Sequence, residues 1–182
     1  MSKLTQGVSV LFLLLSVLAV FMPKSASAQT PAIPAPSLEP LEAELLRPDA
    51  PLAKRDVITS DTISQTHITN PSLWWAKEQY DEFDGKLTNN WIAYLDEKRV
   101  DFVVNSQLWS LLDYLGRYRF IHKFGIAASD YQYNVRVFNQ QAALLGTYTC
   151  NYSVTPPDCE MKIFNSLGQD SLPVPRKPLG SN

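Results

Sequence analysis

The chain has 182 residues, 16 basic and 18 acidic side chains and a formal charge of −2, which suits one domain with extensions. That balance lacks the dense positive surface on which nucleic-acid binding depends, so no nucleic-acid partner is expected.

Residues Met1–Ala28 have the pattern of a signal peptide. Lys3 gives a short positive start, Val8 to Met22 is apolar apart from Ser9 and Ser16, and Ala26-Ser27-Ala28 offers small residues for cleavage. The run is shorter than the roughly 20 apolar residues that cross a bilayer comfortably, so no membrane span is expected after cleavage. The alternative is a retained anchor, with Lys24 as its stop. Cleavage would remove two of the basic side chains, Lys3 and Lys24, and none of the acidic ones, leaving a formal charge of −4. Export to the periplasm or the extracellular space follows from this reading.

Gln29 to Asp56 reads as a Pro-rich flexible linker, with Pro31, Pro34, Pro36, Pro40, Pro48 and Pro51. Each proline removes a backbone donor and extends its predecessor, so a solvated polyproline-like spacer is expected, lifting the domain on a stalk. Leu41 to Arg47 has the spacing of two helical turns, too short to persist alone. A single α+β domain then covers residues 57–165, and 166–182, with Pro173, Pro175 and Pro178, reads as a disordered tail.

Within the domain, Val57 to Thr69 suits an edge strand or a loop equally. Asn70-Pro71 predicts a helix start, with Leu73, Trp74, Lys77, Tyr80 and Asp81 at helical spacing and a stop by Asp84-Gly85. One of Trp74 and Trp75 should pack inward. Trp91–Leu95 and Arg99–Val104 alternate around Asp96-Glu97-Lys98 and predict a hairpin. Val100, Phe102 and Val104 then face a core, while Arg99, Asp101 and Val103 face a mostly wet side.

Asn105 or Ser106 should cap a helix with Leu108, Leu111, Leu112 and Leu115 as its apolar stripe. A second stripe of Phe120, Phe124, Ala127, Ala128 and Tyr131 lies at another angle. Two helices, Gln107–Leu115 and Arg117–Ser129, broken at a Gly116 cap, accommodate both. Alternation at Tyr118, Phe120, His122 and Phe124 also suits a strand, but the helical stripe runs longer. Tyr133–Phe138 and Leu144–Tyr152 form a second β pair, and Glu160–Phe164 a last strand. The fold class is therefore α+β, a small antiparallel sheet of four or five strands in two hairpins with helices packed on one face.

At Pro71-Ser72-Leu73-Trp74-Trp75 and Tyr133-Asn134-Val135-Arg136-Val137-Phe138 the chain resembles small exported proteins of cyanobacterial type that have no assigned activity. The resemblance covers about Asn70 to Cys159, implies an exported origin and carries no site residues.

Cys150 and Cys159 are the only cysteines, and in an exported chain such a pair predicts a disulfide. Together with His67 and His122 they make a formal zinc complement, but without the short ligand spacing of structural zinc, so no metal or cofactor is expected. Asp81-Glu82-Phe83-Asp84-Gly85 lacks the alternating oxygens of a calcium loop and reads as a solvated helix end. His122 is the candidate general base of a small envelope hydrolase, with Asp101, Asp113 or Asp130 as its carboxylate, but no nucleophile motif accompanies it. Asn151-Tyr152-Ser153 is a glycosylation triplet that arises often by chance.

The aromatic load points elsewhere. Trp74 and Trp75, with Arg117 and Arg136 at the rim, offer flat faces beside guanidinium groups, which suit an envelope protein or a glycan. A small domain also fills its core with aromatics, which is the plainer account of the same residues. The reading favours a non-enzymatic exported binding or protein-interaction module over the hydrolase.

Overall fold

The computed structural model describes residues 32–50, 52, 56–61 and 73–165. Met1–Ala28, read as a signal peptide, the Asn70-Pro71 helix start, His67 and residues 166–182 lie outside them. The elements run β1 (Val57–Thr59), α1 (Leu73–Tyr80), β2 (Thr88–Tyr94), β3 (Arg99–Val104), α2 (Ser106–Leu111), α3 (Tyr114–Ser129), β4 (Asn134–Asn139), β5 (Leu144–Asn151) and β6 (Asp158–Ile163). A short 3-10 turn, Ala43–Leu46, precedes them.

The six strands pair in chain order, β1 to β6. The α+β class and both hairpins hold, but the sheet has six strands rather than four or five. Val57–Thr59 supplies the extra one, pairing as an edge strand against Ile92–Tyr94. The joint between the hairpins is parallel, β3 to β4, rather than antiparallel. Parallel neighbours need a crossover connection, and α2 with α3 provides it on one face of the sheet.

Asn105 caps α2 by accepting from the amides of Gln107 and Leu108 at 2.9 and 3.1 Å. The break falls at Leu112-Asp113, earlier than Gly116, because Asp113 caps α3 by accepting from the Gly116 amide at 2.7 Å. Gly116 is thus in the first turn of α3 and is not a left-handed cap. The leucine stripe also divides: Leu112 is buried, whereas Leu111 is 71% and Leu115 56% exposed. Phe120, Phe124 and Ala128 bury as expected, against Trp91, Phe102, Val135 and Val137.

The opposite face of the sheet corrects two expectations together. Asp101, assigned to a wet side, is 0% exposed, and Arg136 beside it on β4 is 2% exposed. What covers them is the Pro-rich stretch itself, which is a strap packed on the sheet and not a solvated spacer over its described residues. Leu41 and Leu45, four apart, bury their side chains against Ile92, Tyr94, Val103 and Phe138. A proline-rich segment presents carbonyls with few amides to pair them, and Arg136 supplies the missing donors. Its Nη1 donates to the carbonyls of Glu39 at 2.7 Å and Ser37 at 3.2 Å.

Candidate interaction surface

The four residues expected to share one surface occupy three places. Trp74 and Trp75 lie on α1, whose Leu73 and Ala76 face the core. Neither indole packs fully inward: Trp74 is 47% and Trp75 55% exposed. Trp74 sets its edge on buried Trp91 at 6.5 Å, and Trp75 meets Tyr80 at 5.6 Å, so both rings are held while a large part stays open to solvent.

Arg117 lies half-buried on α3, its guanidinium 5.8 Å from the centroid of the Trp109 ring. Its Nε is buried and makes no hydrogen bond. Arg136 is not at the surface. Its Nε and Nη2 donate to the two oxygens of Asp101 at 2.7 and 2.6 Å, a bidentate pair between directly opposed residues of β3 and β4. Arg99 Nε stands 3.4 Å from the same carboxylate, and Arg99 also pairs with Glu39 at 3.1 Å and with Glu97. This ionic cluster clamps the strap and is unsuited to a rim role.

The helical layer carries the open surface. Loop and helix join where Arg119 Nε donates to Glu82 at 3.0 Å, and where Lys123 stands 5.7 Å over the Tyr80 ring. Leu111, Tyr114, Leu115, Tyr118, Ile126 and Tyr131 are exposed along it. The 3- and 4-residue spacing of Leu115, Tyr118, His122 and Ile126 was visible in the sequence. It reads as an apolar row, however, and only packing shows that this row faces outward while Phe120 and Phe124 take the core.

His122 stacks on Tyr118 at 5.6 Å and meets the edge of Tyr148 at 6.3 Å. Among the described residues no carboxylate is bonded to it. Asp101 is committed to Arg136 on the other side of the sheet, Asp113 caps α3, and Asp130 ends that helix. Burial pushes the phenol of its neighbour Tyr148 up, so that group is held neutral and is not poised near neutral pH.

The remaining chemistry-bearing residues act structurally. Cys150 and Cys159 are disulfide-bonded across directly paired positions of β5 and β6, which removes both from any metal set. Among the described residues no group of three or more His, Cys, Asp or Glu could hold a metal ion. Asp81 is buried, not solvated: its carboxylate accepts from the amides of Phe83, Leu87 and Thr88 at 2.9, 3.2 and 2.7 Å and shapes the loop after α1. Asn151 of the glycosylation triplet is buried too, accepting from the Ser153 amide at 3.0 Å.

Comparison with protein-family models, with curated proteins and with solved structures found no match.

Proposed function

We propose that this chain is an exported, non-enzymatic binding module whose contact surface is the solvent side of the helical layer. One observation carries the reading. The strap closes one face of the sheet over its ions, while the helices covering the other leave Trp74, Trp75, Leu111, Leu115 and Tyr118 substantially exposed. Large apolar and aromatic side chains left exposed on one layer of a small domain are a usual mark of an interaction site. The hydrolase reading receives no matching support, because His122 has aromatic neighbours and no bonded carboxylate.

Export rests on the Met1–Ala28 pattern and on the resemblance to exported proteins, and the Cys150–Cys159 disulfide is compatible with an oxidising compartment. An intact mass beginning at Gln29 is expected for protein taken from the exported fraction. A mass that includes Met1–Ala28 would instead mean a retained anchor.

The function is tested by affinity capture from envelope extract with wild type and a Trp74→Ala/Trp75→Ala variant shown by circular dichroism to be folded. Loss of the captured partner in the variant is expected. Equal capture would remove the indoles from the contact surface, and turnover abolished by His122→Ala would return the protein to the enzymes.

A further inference from the structure

Resting on that reading and naming its partner class, we propose that the outward side of α3 seats on an anionic lipid bilayer surface. Leu115, Tyr118, Arg119, His122, Lys123 and Ile126 recur at steps of three and four and so share one side of the helix. Phe120, Ile121, Phe124 and Ala128 occupy the buried side. Sixteen residues give this ridge a length of roughly 24 Å.

Its charge is lopsided. The outward side carries Arg119 and Lys123 and no acidic residue between the Asp113 and Asp130 that flank the helix, in a chain that is net negative overall, while Arg117 is half-buried against Trp109. Arg119 is partly answered by Glu82. Lys123 has no carboxylate partner among the described residues and stands over the Tyr80 ring. Aliphatic tips accompany the cations: Leu115 and Ile126 on the row itself, and Leu111 and Tyr114 beside its N-terminal end, are all exposed.

This combination separates the possible occupants. Sugars stack on flat rings and gain little from leucine and isoleucine tips. A second copy meeting this side about a two-fold axis would bring Arg119 and Lys123 toward their own copies, which like-charge repulsion opposes. A bilayer interface uses every part: aliphatic tips enter the acyl boundary, tyrosine rings lie at headgroup level, and lysine and arginine reach the phosphates.

The test is co-sedimentation of the chain from Gln29 to Asn182 with vesicles, since residues from Pro31 onward group as one compact unit. Starting at Gln29 keeps the apolar leader from partitioning on its own account. Binding is expected to mixed phosphatidylglycerol–phosphatidylcholine vesicles and not to phosphatidylcholine alone, weakening as salt is raised. Lys123→Gln should lower the partition coefficient about fivefold, as expected for one interfacial cation. A Leu115→Asn/Ile126→Asn variant should lower it about tenfold or more. Both alter exposed side chains, and thermal unfolding is measured alongside to verify the fold.

No binding to the anionic vesicles, equal binding to neutral ones, or binding that neither variant weakens would overturn the proposal. If vesicles are ignored while an envelope protein or glycan is captured through Trp74 and Trp75, the lipid assignment falls and the binding-module reading stands. Failure of both experiments would remove both.

Discussion

The two faces of this sheet are closed by different physics. The helical face is an apolar core in which Phe102 packs against Phe120 and Phe124 at 6.4 and 4.8 Å, with Trp109 on Phe120 at 5.6 Å. Such contacts are non-directional, so neighbouring rings can share a loss. The strapped face is closed by Leu41 and Leu45 around a charged centre, Asp101 with Arg136 and Arg99. Buried charges tolerate few arrangements, because each must be paired and its remaining donors satisfied. The difference teaches that a proline-rich strap, poor in amides of its own, can have its carbonyls answered by one guanidinium, that of Arg136, whose position the sheet fixes, alongside the Arg99–Glu39 pair and the two leucines.

The sharpest way to break this contrast is to remove one ion. Arg136→Ala leaves Asp101 buried without its bidentate partner and frees the carbonyls of Ser37 and Glu39. A loss of about 3–5 kcal/mol is expected in urea unfolding, together with increased proteolysis between Ser37 and Arg47. Replacing both ions, as Asp101→Leu/Arg136→Met, should recover most of the stability but leave the strap's carbonyls unpaired. A strap still protease-sensitive in a restored domain would show that the guanidinium, and not apolar packing, holds it. A single substitution costing under about 1 kcal/mol would mean that the cluster adds little.

The Cys150–Cys159 link ties β6 to the sheet that both faces share, and Cys150 is itself buried in the apolar core of the helical face. Reduction should cost roughly 2–3 kcal/mol by the chain-entropy relation for so short a loop. Protein alkylated without reduction should keep both cysteines unlabelled. Two accessible thiols would reopen a metal reading.

Alkaline pH reaches both faces through their tyrosines. Tyr94, on the strapped face, is pushed above the ordinary tyrosine range by burial and then by the charges of Asp101 and Glu42. Tyr152, whose hydroxyl donates to the Tyr133 carbonyl at 2.8 Å, is pushed up to about 12 by burial and then by Tyr148. In both cases the folded state keeps a proton that the unfolded chain releases near pH 10. Stability is therefore fully present below that pH and falls as pH rises through about 12. Tyr94→Phe should flatten the alkaline limb more than Tyr152→Phe. The reverse order would mean that the strapped face is the less buried of the two.

The smallest effect tests the helical face. A Cβ at Gly116 would stand 3.0 Å from Leu112 Cδ2 and 3.3 Å from Asp113 Oδ1, so a slight adjustment of these neighbours opposes the gain in helix propensity. Gly116→Ala should change stability by less than about 1 kcal/mol in either direction. A larger loss would contradict its helical placement and restore the left-handed cap.

How far the chain could be read in advance follows the range of each interaction. The hairpin of β2 and β3, the Asn105 cap, the α3 stripe and the β4–β5 pair all depend on residues within a few positions of one another, and their patterns were visible. That Trp74 and Trp75 share a helix was legible, although both indoles, and not one, stay partly exposed. Arg136 was not, since its role depends on Asp101, 35 positions away, and on Glu39, 97 positions away. The parallel joint of β3 and β4 that aligns Asp101 with Arg136 leaves no periodic mark in the sequence.

By itself, then, the sequence determined where most strands and helices form, because periodicity, capping residues and turn formers act locally, though it left β1 undecided and put the helix break at Gly116 instead of Leu112-Asp113. It also identified the two cysteines that bond. Only the tertiary structure decided which faces are covered. Alternation on β3 tells that Arg99, Asp101 and Val103 share a side, but whether that side meets water depends on a segment some 60 residues earlier folding back across it. The physical reason is that a buried charge and a solvated one have the same local sequence, and differ only in what the rest of the chain brings to them.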